Sequence, residues 1–206
     1  YMKISQTRVK KQGGFIIAQE GSLTVNNIIL NDSISSGDSS AIYTFGSKFN
    51  IQNSIFSNCK NENNEGVLYF AEQFLEENIL DNVSCLNTTA SGGSCIFSYN
   101  TQTSINRLTV NSSFALKKNI IYMFSITEPY KIKIMNSIID KSMSQESSLE
   151  LMNVITEFGN FTIKNSAFLL QMVNIISSQI MINNLFLNFL PKPSPSGLEK
   201  MLRISD

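Results

Sequence analysis

One short phrase recurs along this chain about every 26 residues, and this recurrence constrains the fold more than any other feature. The phrase is an apolar residue, a second apolar residue two positions later, and an Asn two positions after that. Its five clear copies end at Asn27, Asn53, Asn136, Asn165 and Asn184. A period of this size is typical of a stacked array of similar units. The sequence therefore predicts an elongated repeat protein.

Apolar residues at alternate positions predict that each phrase is a β-strand with one buried side. A second apolar stretch, often opening on small residues as in Gly66-Val67-Leu68-Tyr69, precedes most phrases. The repeat length suits a coil of two or three short strands joined by turns. We predict an all-β fold, a right-handed parallel β-helix solenoid of about eight coils. The rival is the leucine-rich repeat, whose phrase also spaces its apolar residues by three.

The recurring Asn is predicted to be structural. Asn tolerates the left-handed backbone conformation of a tight turn, and stacked amides hydrogen-bond from one coil to the next. Asn27, Asn53, Asn136, Asn165 and Asn184 are therefore expected to form an Asn ladder. In one unit Ser112 takes the place of the Asn, and in the third unit the register at Asn82 is ambiguous. A ligand-binding row of Asn side chains is the alternative.

The composition excludes several classes of partner. Charged residues make up 16% of the chain, its net charge is zero, and Lys and Arg occur at most in pairs. No nucleic-acid partner is therefore expected. No apolar run approaches the roughly 18 residues that a membrane span requires, so no membrane span is expected either.

The repeats predict one β-helix domain over residues 1–206. The chain opens at Tyr1 with repeat material, lacks a charged amino-terminal region, and is expected to be a segment of a longer protein without its own signal peptide. Residues 191–196 contain three prolines and are predicted to be a stiff connector inside or between coils.

Two phrases resemble those of a known group of proteins. Gly13-Gly14-Phe15-Ile16 and Gly92-Gly93-Ser94-Cys95-Ile96 resemble the Gly-Gly-Ala-Ile/Leu phrase of polymorphic outer-membrane-type β-helix proteins. Residues 53–59 resemble their Phe-x-x-Asn phrase, with one residue fewer before the Asn. Similar repeats occur in pectin-lyase-like surface proteins of protists, especially ciliates. The resemblance covers nearly the whole chain and implies a secreted or cell-surface protein that acts in adhesion, coat formation or filament assembly.

The three cysteines allow more than one pairing. Cys59 and Cys85 are each followed two residues later by Asn and seven residues later by Gly. They are 26 residues apart, which is the mean length of one repeat. We therefore predict that they stack in neighbouring coils and form a disulfide in an oxidising compartment. Cys95 is then left over. A Cys85–Cys95 bond and three free thiols are the alternatives.

Five Asn residues begin the acceptor pattern for N-glycosylation. Asn31 and Asn87 lie in predicted loops, Asn111 is expected to face outward, and Asn160 lies just before a strand. These four are candidate glycosylation sites, and Asn82 is the poorest candidate. The number of matches is what this Asn, Ser and Thr content produces by chance, so it does not itself indicate secretion.

Catalytic chemistry is not indicated. The chain has no His, which is the commonest general base at neutral pH. Its five Asp residues share no coil position, whereas glycoside hydrolysis needs converging carboxylates. The acidic group Glu76, Glu77 and Asp81 is more typical of a solvated loop than of a cation site. No catalytic residue, metal or cofactor is predicted, and the chain is not expected to be an enzyme.

A recurring tyrosine leaves a second function open. Tyr43, Tyr69, Tyr99 and Tyr122 each lie near the first strand of a unit, where they would either pack at the rim or form an outward row that binds sugars. We expect a structural segment of an extracellular surface or filament-forming protein, with further copies or the rest of its own chain as partners. The alternative is a carbohydrate-binding or adhesin module that uses a lateral sheet face. An outward aromatic row with adjacent amides would favour this alternative, and converging carboxylates would favour an enzyme.

Overall fold

A computed structural model describes residues 2–5, 8–9, 14–62, 65–189 and 200–205, and within these ranges all regular secondary structure is β-strand. The predicted connector at residues 191–196 lies outside them. The strands are β1 (Met2–Ser5), β2 (Arg8–Val9), β3 (Ile16–Gln19), β4 (Ser22–Asn26), β5 (Ile28–Asn31), β6 (Ile34–Ser35), β7 (Ile42–Phe45), β8 (Lys48–Ser57), β9 (Lys60–Asn61), β10 (Leu68–Leu86), β11 (Thr89–Ala90), β12 (Ile96–Asn106), β13 (Thr109–Asn111), β14 (Phe114–Ala115), β15 (Ile121–Phe124), β16 (Tyr130–Asp140), β17 (Met143–Ser144), β18 (Ser147–Met152), β19 (Val154–Ser166), β20 (Gln171–Ile176), β21 (Gln179–Ile182), β22 (Leu185–Phe189) and β23 (Lys200–Ser205).

The strands of successive coils pair in parallel and form a β-solenoid with four faces, which the chain visits in order. Face 1 contains β3, β7, the start of β10, the start of β12, β15, β18, β20 and β23. Face 2 contains β4, the first half of β8, the middle of β10, the end of β12, the first parts of β16 and β19, and β21. Face 3 contains β1, β5, the ends of β8 and β10, β13, the ends of β16 and β19, and β22. Face 4 is a separate sheet of two-residue strands, β2, β6, β9, β11, β14 and β17.

The all-β solenoid prediction is confirmed. Parallel strands lie on every side of the coil, and the described residues contain none of the helical segments that commonly form the second side of a leucine-rich repeat. The corner residue advances from Asn27 to Asn184 in six turns, and the count of about eight coils for the whole chain stays a prediction. The right-handed sense of the winding remains a prediction.

Three corners of most coils are made by single residues in the left-handed backbone region, with φ between 47° and 59°. Between β15 and β16, corner 1 is instead a loop over residues 125–129. Corner 1 joins faces 1 and 2, corner 2 joins faces 2 and 3, and corner 3 joins faces 3 and 4. The residues at corner 1 are Glu20, Gly46, Glu72, Asn100, Asn153 and Ser177, those at corner 2 are Asn27, Asn53, Asn82, Arg107, Asn136 and Asn160, and those at corner 3 are Asp32, Asn58, Asn87, Ser112, Lys141 and Asn165. Ten of these eighteen are Asn, because Asn adopts this conformation at a lower cost than most other side chains.

A Ser after the corner links neighbouring coils through the interior. The Ser54 hydroxyl accepts a hydrogen bond from the Ile28 N–H of the preceding coil at 3.4 Å and donates to the Gln52 carbonyl at 2.6 Å. Ser137 makes the same pair of bonds, with the Leu108 N–H at 3.0 Å and the Met135 carbonyl at 2.6 Å. Each hydroxyl satisfies buried backbone groups where the strand direction changes. This arrangement explains why Asn-Ser pairs recur in the sequence.

The core is a column of inward side chains between the faces. Alternate strand residues point inward, so face 2 contributes Phe49 and Ile51, both with no exposed surface. The rings of Phe49 and Phe70 stack with their centroids 3.9 Å apart. Burying a side chain of this size stabilises the fold by about 1.5 to 3 kcal/mol. Because every coil repeats the pattern, stability is distributed along the array.

Candidate functional site

The outer side of face 1 carries an aromatic row. The second and fourth residues of β7, β12 and β15, and the second residue of β10, point outward, which places side chains of successive coils directly above one another. We call this surface the aromatic face and define it as Tyr43, Tyr69, Phe97, Tyr99, Tyr122 and Phe124. Phe97 is buried by its neighbours and the others are partly exposed. The outward tyrosine row considered from the sequence is therefore present.

The rings of the aromatic face contact one another through their flat sides. The centroid of Tyr69 lies 5.1 Å from that of Tyr43 and 5.0 Å from that of Phe97, with interplanar angles of 16° and 14°. Tyr122 stacks on Phe124 of the same strand at 4.9 Å. Both flat sides of Tyr69 are therefore covered by neighbours, and the ring presents its edge and hydroxyl to a ligand. Such stacked pairs also stabilise the fold beyond their buried area.

Charged groups from several coils surround the last rings of this row. Lys118 Nζ donates a hydrogen bond to Glu65 Oε1 at 2.6 Å and lies 5.3 Å from the centroid of the Tyr122 ring. The Asn119 amide donates to Glu150 Oε2 at 3.2 Å. Glu150 itself follows Tyr122 in the outward column of face 1. An ammonium, two carboxylates and an amide thus meet beside the aromatic face.

Burial and neighbouring carboxylates shift the pKa values of this surface in one direction. Burial, followed by Glu150, Glu65 and Glu146, raises the pKa of Tyr122 to about 12. Burial also raises the pKa of Glu150, and the Asn174 and Asn119 amides and Lys118 offset part of the increase. The surface therefore disfavours further negative charge.

A second candidate site is the end of the solenoid formed by β21, β22 and β23. Ile182 is in register with Phe158, and Ile204 with Ile175, so both point toward the interior. Phe158 and Ile175 have no exposed surface, whereas Ile182 is 43% exposed and Ile204 is 57% exposed. The core is therefore open at this end.

The structure places four of the five predicted ladder residues at corner 2. Asn27, Asn53 and Asn136 have left-handed backbones there, and Asn184 follows at the same place in the last coil. Asn165 does not belong to this row, because it occupies corner 3. The corner 2 residue of its coil is Asn160, whose amide donates to Asn136 Oδ1 at 3.0 Å.

Side-chain hydrogen bonds connect successive coils along corner 2. The acceptor is either the corner residue of the neighbouring coil or the residue before that corner. Asn184 donates to Asn160 Oδ1 at 3.1 Å, and Asn82 donates to Asn53 Oδ1 at 2.8 Å. Other bonds use the residue before the corner: Asn53 donates to Asn26, Asn136 donates to Asn106, and Asn106 donates to Asp81. Asn82 therefore occupies corner 2, which resolves the register of the third unit that was ambiguous in the sequence. Ser112, read from the sequence as a ladder position, occupies corner 3 instead, and Arg107 is the corner 2 residue of that coil.

The predicted Cys59–Cys85 disulfide is wrong in this structure. Cys85 is bonded to Cys95, with the Cα atoms 5.7 Å apart, and Cys59 is a buried free thiol. Cys85 lies on face 3 in register with Phe56, whereas Cys59 lies beyond corner 3. The two are not equivalent because this coil has 29 residues from Asn58 to Asn87, three more than the spacing of the cysteines.

The cysteine arrangement predicts a specific alkylation pattern. Burial raises the pKa of the Cys59 thiol to about 12, so we expect this thiol to stay protonated and unreactive in the native state. Iodoacetamide should modify Cys59 only after unfolding, and non-reducing peptide mapping should recover a Cys85–Cys95 linked peptide. Rapid modification of all three cysteines in the folded protein, or a Cys59–Cys85 peptide, would contradict the arrangement.

The candidate glycosylation residues differ in their hydrogen bonds. The amide nitrogens of Asn31, Asn87 and Asn160 donate to Asp32, Asn58 and Asn136 respectively. That of Asn82, the poorest candidate, donates to Asn53. The Asn111 side chain accepts from the Ser112 hydroxyl at 2.7 Å. Three of the four candidates, together with Asn82, therefore use the nitrogen that would carry a glycan.

The acidic group weighed from the sequence does not assemble into a cation site. Asp81 accepts hydrogen bonds from Arg107 Nε at 2.9 Å and Nη2 at 2.5 Å, and this pairing holds the pKa of Asp81 below its usual range. The Glu77 side chain is exposed, and that of Glu76 lies outside the described residues. In the part of the chain that is described, no three His, Cys, Asp or Glu side chains are grouped as metal ligands.

Sequence reasoning did not find the polar groups beside the aromatic face. Glu65 and Lys118 come from loops before face 1 whose length differs between coils, so no fixed spacing connects them. Glu150 and Asn174 occupy the same outward column as Tyr122, and the strand phrase could have located them.

Comparisons with known proteins gave no match. No protein-family model, no curated protein and no solved structure matches the chain. Over the residues that the structure describes, no helix has the length and apolar character of a membrane span.

Proposed function

We propose that this chain is a structural, non-catalytic β-solenoid segment of an extracellular surface or filament-forming protein, and that it assembles by end-to-end stacking. The observation that carries the proposal is the open core at the last coil, where the inward side chains of Ile182 and Ile204 remain exposed. The inward residues with which they are in register, Phe158 and Ile175, are fully buried.

A further parallel coil packed on this end of the solenoid would bury its exposed core better than any other structure. It would bury the inward side chains and also pair the strand edges of β21 and β22, as every earlier coil does for its neighbour. A segment without strands would leave the backbone N–H and C=O groups on the edges of β21 and β22 without regular hydrogen-bond partners. Further copies of the chain, or further coils of a longer one, supply such strands.

Two other features support the extracellular and non-catalytic parts of the proposal. The Cys85–Cys95 disulfide suits an oxidising compartment. The sequence has no His, and Asp81 and Glu150 are engaged by Arg107 and by side-chain amides. These contacts favour structural roles for the carboxylates.

Replacing Ile182 by Lys tests the stacking. A charged side chain at the open core cannot be buried without a large desolvation cost, so we expect Ile182→Lys to abolish self-association. Sedimentation velocity over a range of concentrations measures it. The matched control is Ile126→Lys, because Ile126 is 68% exposed in a lateral loop. A wild-type chain that stays monomeric at all concentrations, or equal effects of both variants, would contradict the proposal.

The second candidate function is an adhesin module that uses the aromatic face. The observation that favours it is the outward aromatic row with the amides of Asn119 and Asn174 beside it. Carbohydrate binding through ring stacking suits this surface less well, because both flat sides of Tyr69 are covered. The exposed edges and hydroxyls fit a partner that hydrogen-bonds.

A further inference from the structure

The end of the aromatic face already holds one ammonium group. Lys118 Nζ lies over the Tyr122 ring and is bonded to Glu65, which belongs to a loop 53 residues earlier. A ring and a carboxylate from different coils thus converge on a single cation. Cations are attracted to the face of an aromatic ring and, more strongly, to a carboxylate.

Carboxylates outnumber cations among the groups that act on this surface. The side chains that influence the tyrosine hydroxyls electrostatically are Asp38, Glu65, Glu72, Glu146 and Glu150. Lys118 acts on Glu150, but its ammonium is bonded to Glu65. Arg203 lies in the next coil, in register with Asn174. The local charge beside Tyr122 is therefore negative and would attract a basic partner.

An unpaired acceptor lies next to these carboxylates. Asn174 is 7% exposed and follows Glu150 in the outward column of face 1. The Asn174 amide lowers the pKa of the neighbouring Glu150 carboxyl, while Asn174 Oδ1 has no hydrogen-bond partner among the described residues. Because an unsatisfied buried carbonyl is unfavourable, a donor brought to this place would be favoured. The site thus requires hydrogen-bond donors with positive charge.

We propose that the aromatic face binds a basic peptide segment of a partner protein, whose arginine or lysine side chain bonds to Glu150 and Asn174 beside Tyr122. A guanidinium suits the place because it is planar, weakly hydrated and carries five donors. An anionic polymer would be repelled by the same carboxylates. The proposal rests on the second candidate function, the lateral recognition surface, and is independent of end-to-end stacking.

Fluorescence anisotropy with a labelled peptide of alternating Arg-Gly and Lys-Gly units tests the proposal. We expect saturable binding that weakens as salt is raised, because the contacts are electrostatic and partly exposed. The same peptide with Glu in place of its basic residues should not bind. Glu150→Gln removes one charge and should weaken binding about tenfold, since charge-assisted hydrogen bonds are about twice as strong as neutral ones.

The matched control is Glu157→Gln, because Glu157 forms an exposed ion pair with Lys133 on face 2, away from the aromatic face. Binding to this variant should equal that of the wild type. Carbodiimide crosslinking of the peptide to the wild-type protein gives a second readout that needs no variant. Its crosslinks should map to Glu150, Glu65 or Glu146.

Three results would overturn the proposal: no binding of the basic peptide, equal losses in both variants, or crosslinks spread over all exposed carboxylates. Binding of a neutral glucose hexasaccharide in place of the peptide would assign the face to glycans. Failure of end-to-end stacking would appear as a wild-type protein that sediments as a monomer at all concentrations, and it would leave the peptide result unaffected.

Discussion

Gly93→Ala is expected to destabilise the protein by about 2 to 5 kcal/mol, the sum of about 1 to 2 kcal/mol for a side chain at left-handed φ and about 1 to 3 kcal/mol for overpacking. Gly93 has φ +55°, and a Cβ at this position would lie 2.5 Å from the Ile96 carbonyl oxygen and 2.8 Å from Phe97 Cβ. The clash is with backbone at the start of face 1, so a rotamer change does not relieve it. Because Phe97 is part of the aromatic face, its ring should shift as well.

Urea denaturation followed by circular dichroism measures the loss. Gly21→Ala is the matched control, because Gly21 does not have a left-handed backbone and the nearest atom to its added Cβ is the Gln19 oxygen at 3.9 Å. This control should change stability by no more than about 0.5 kcal/mol. Equal stability of the two variants would show that the chain does not turn at Gly93 as described.

Asn78→Leu is expected to cost about 2 to 4 kcal/mol, although Leu has a similar size and the position is fully buried. Asn78 Oδ1 accepts the Phe49 N–H of the preceding coil at 2.8 Å, and its Nδ2 donates to the Gln102 carbonyl of the following coil at 3.0 Å. The strand register shifts between Gln73 and Asn78, so this side chain supplies an acceptor that regular pairing would have provided. Leu would leave the buried Phe49 N–H and the partly buried Gln102 carbonyl without this partner.

Thermal unfolding of Asn78→Leu should show a clear decrease in Tm. Asn50→Leu is the control: Asn50 lies on the outer side of the same face one coil earlier, and its Oδ1 has no hydrogen-bond partner to lose among the described residues. Its Tm should stay close to that of the wild type. If Tm decreased as much for Asn50→Leu as for Asn78→Leu, the bridging role assigned to Asn78 would be contradicted.

The sequence predicted the strands because a period of two reports burial directly. Phe49, Ile51 and Asn53 alternate with polar residues, and the structure buries the first two and turns the chain at the third. Asn165 was placed on the wrong corner because faces 2 and 3 carry the same phrase. Both end in a left-handed turn where Asn is favoured, so the phrase alone does not tell one corner from the other.

The cysteine error came from treating the repeat length as constant. Cys59 and Cys85 are one mean repeat apart, but their coil contains extra residues between Gln73 and Asn78, where the register shifts. This insertion lies within β10, and regular pairing with β12 resumes at Asn78. The same variability hid the convergence of Glu65 and Lys118, because only the folded loops bring them together.

Electron cryomicroscopy of the native assembly tests end-to-end stacking most directly. We predict rods in which strands continue from the open end, at Ile182 and Ile204, into the next coil with the spacing of about 4.8 Å that separates parallel strands. Compact monomers in which a segment without β-coils covers these two side chains would contradict the proposal.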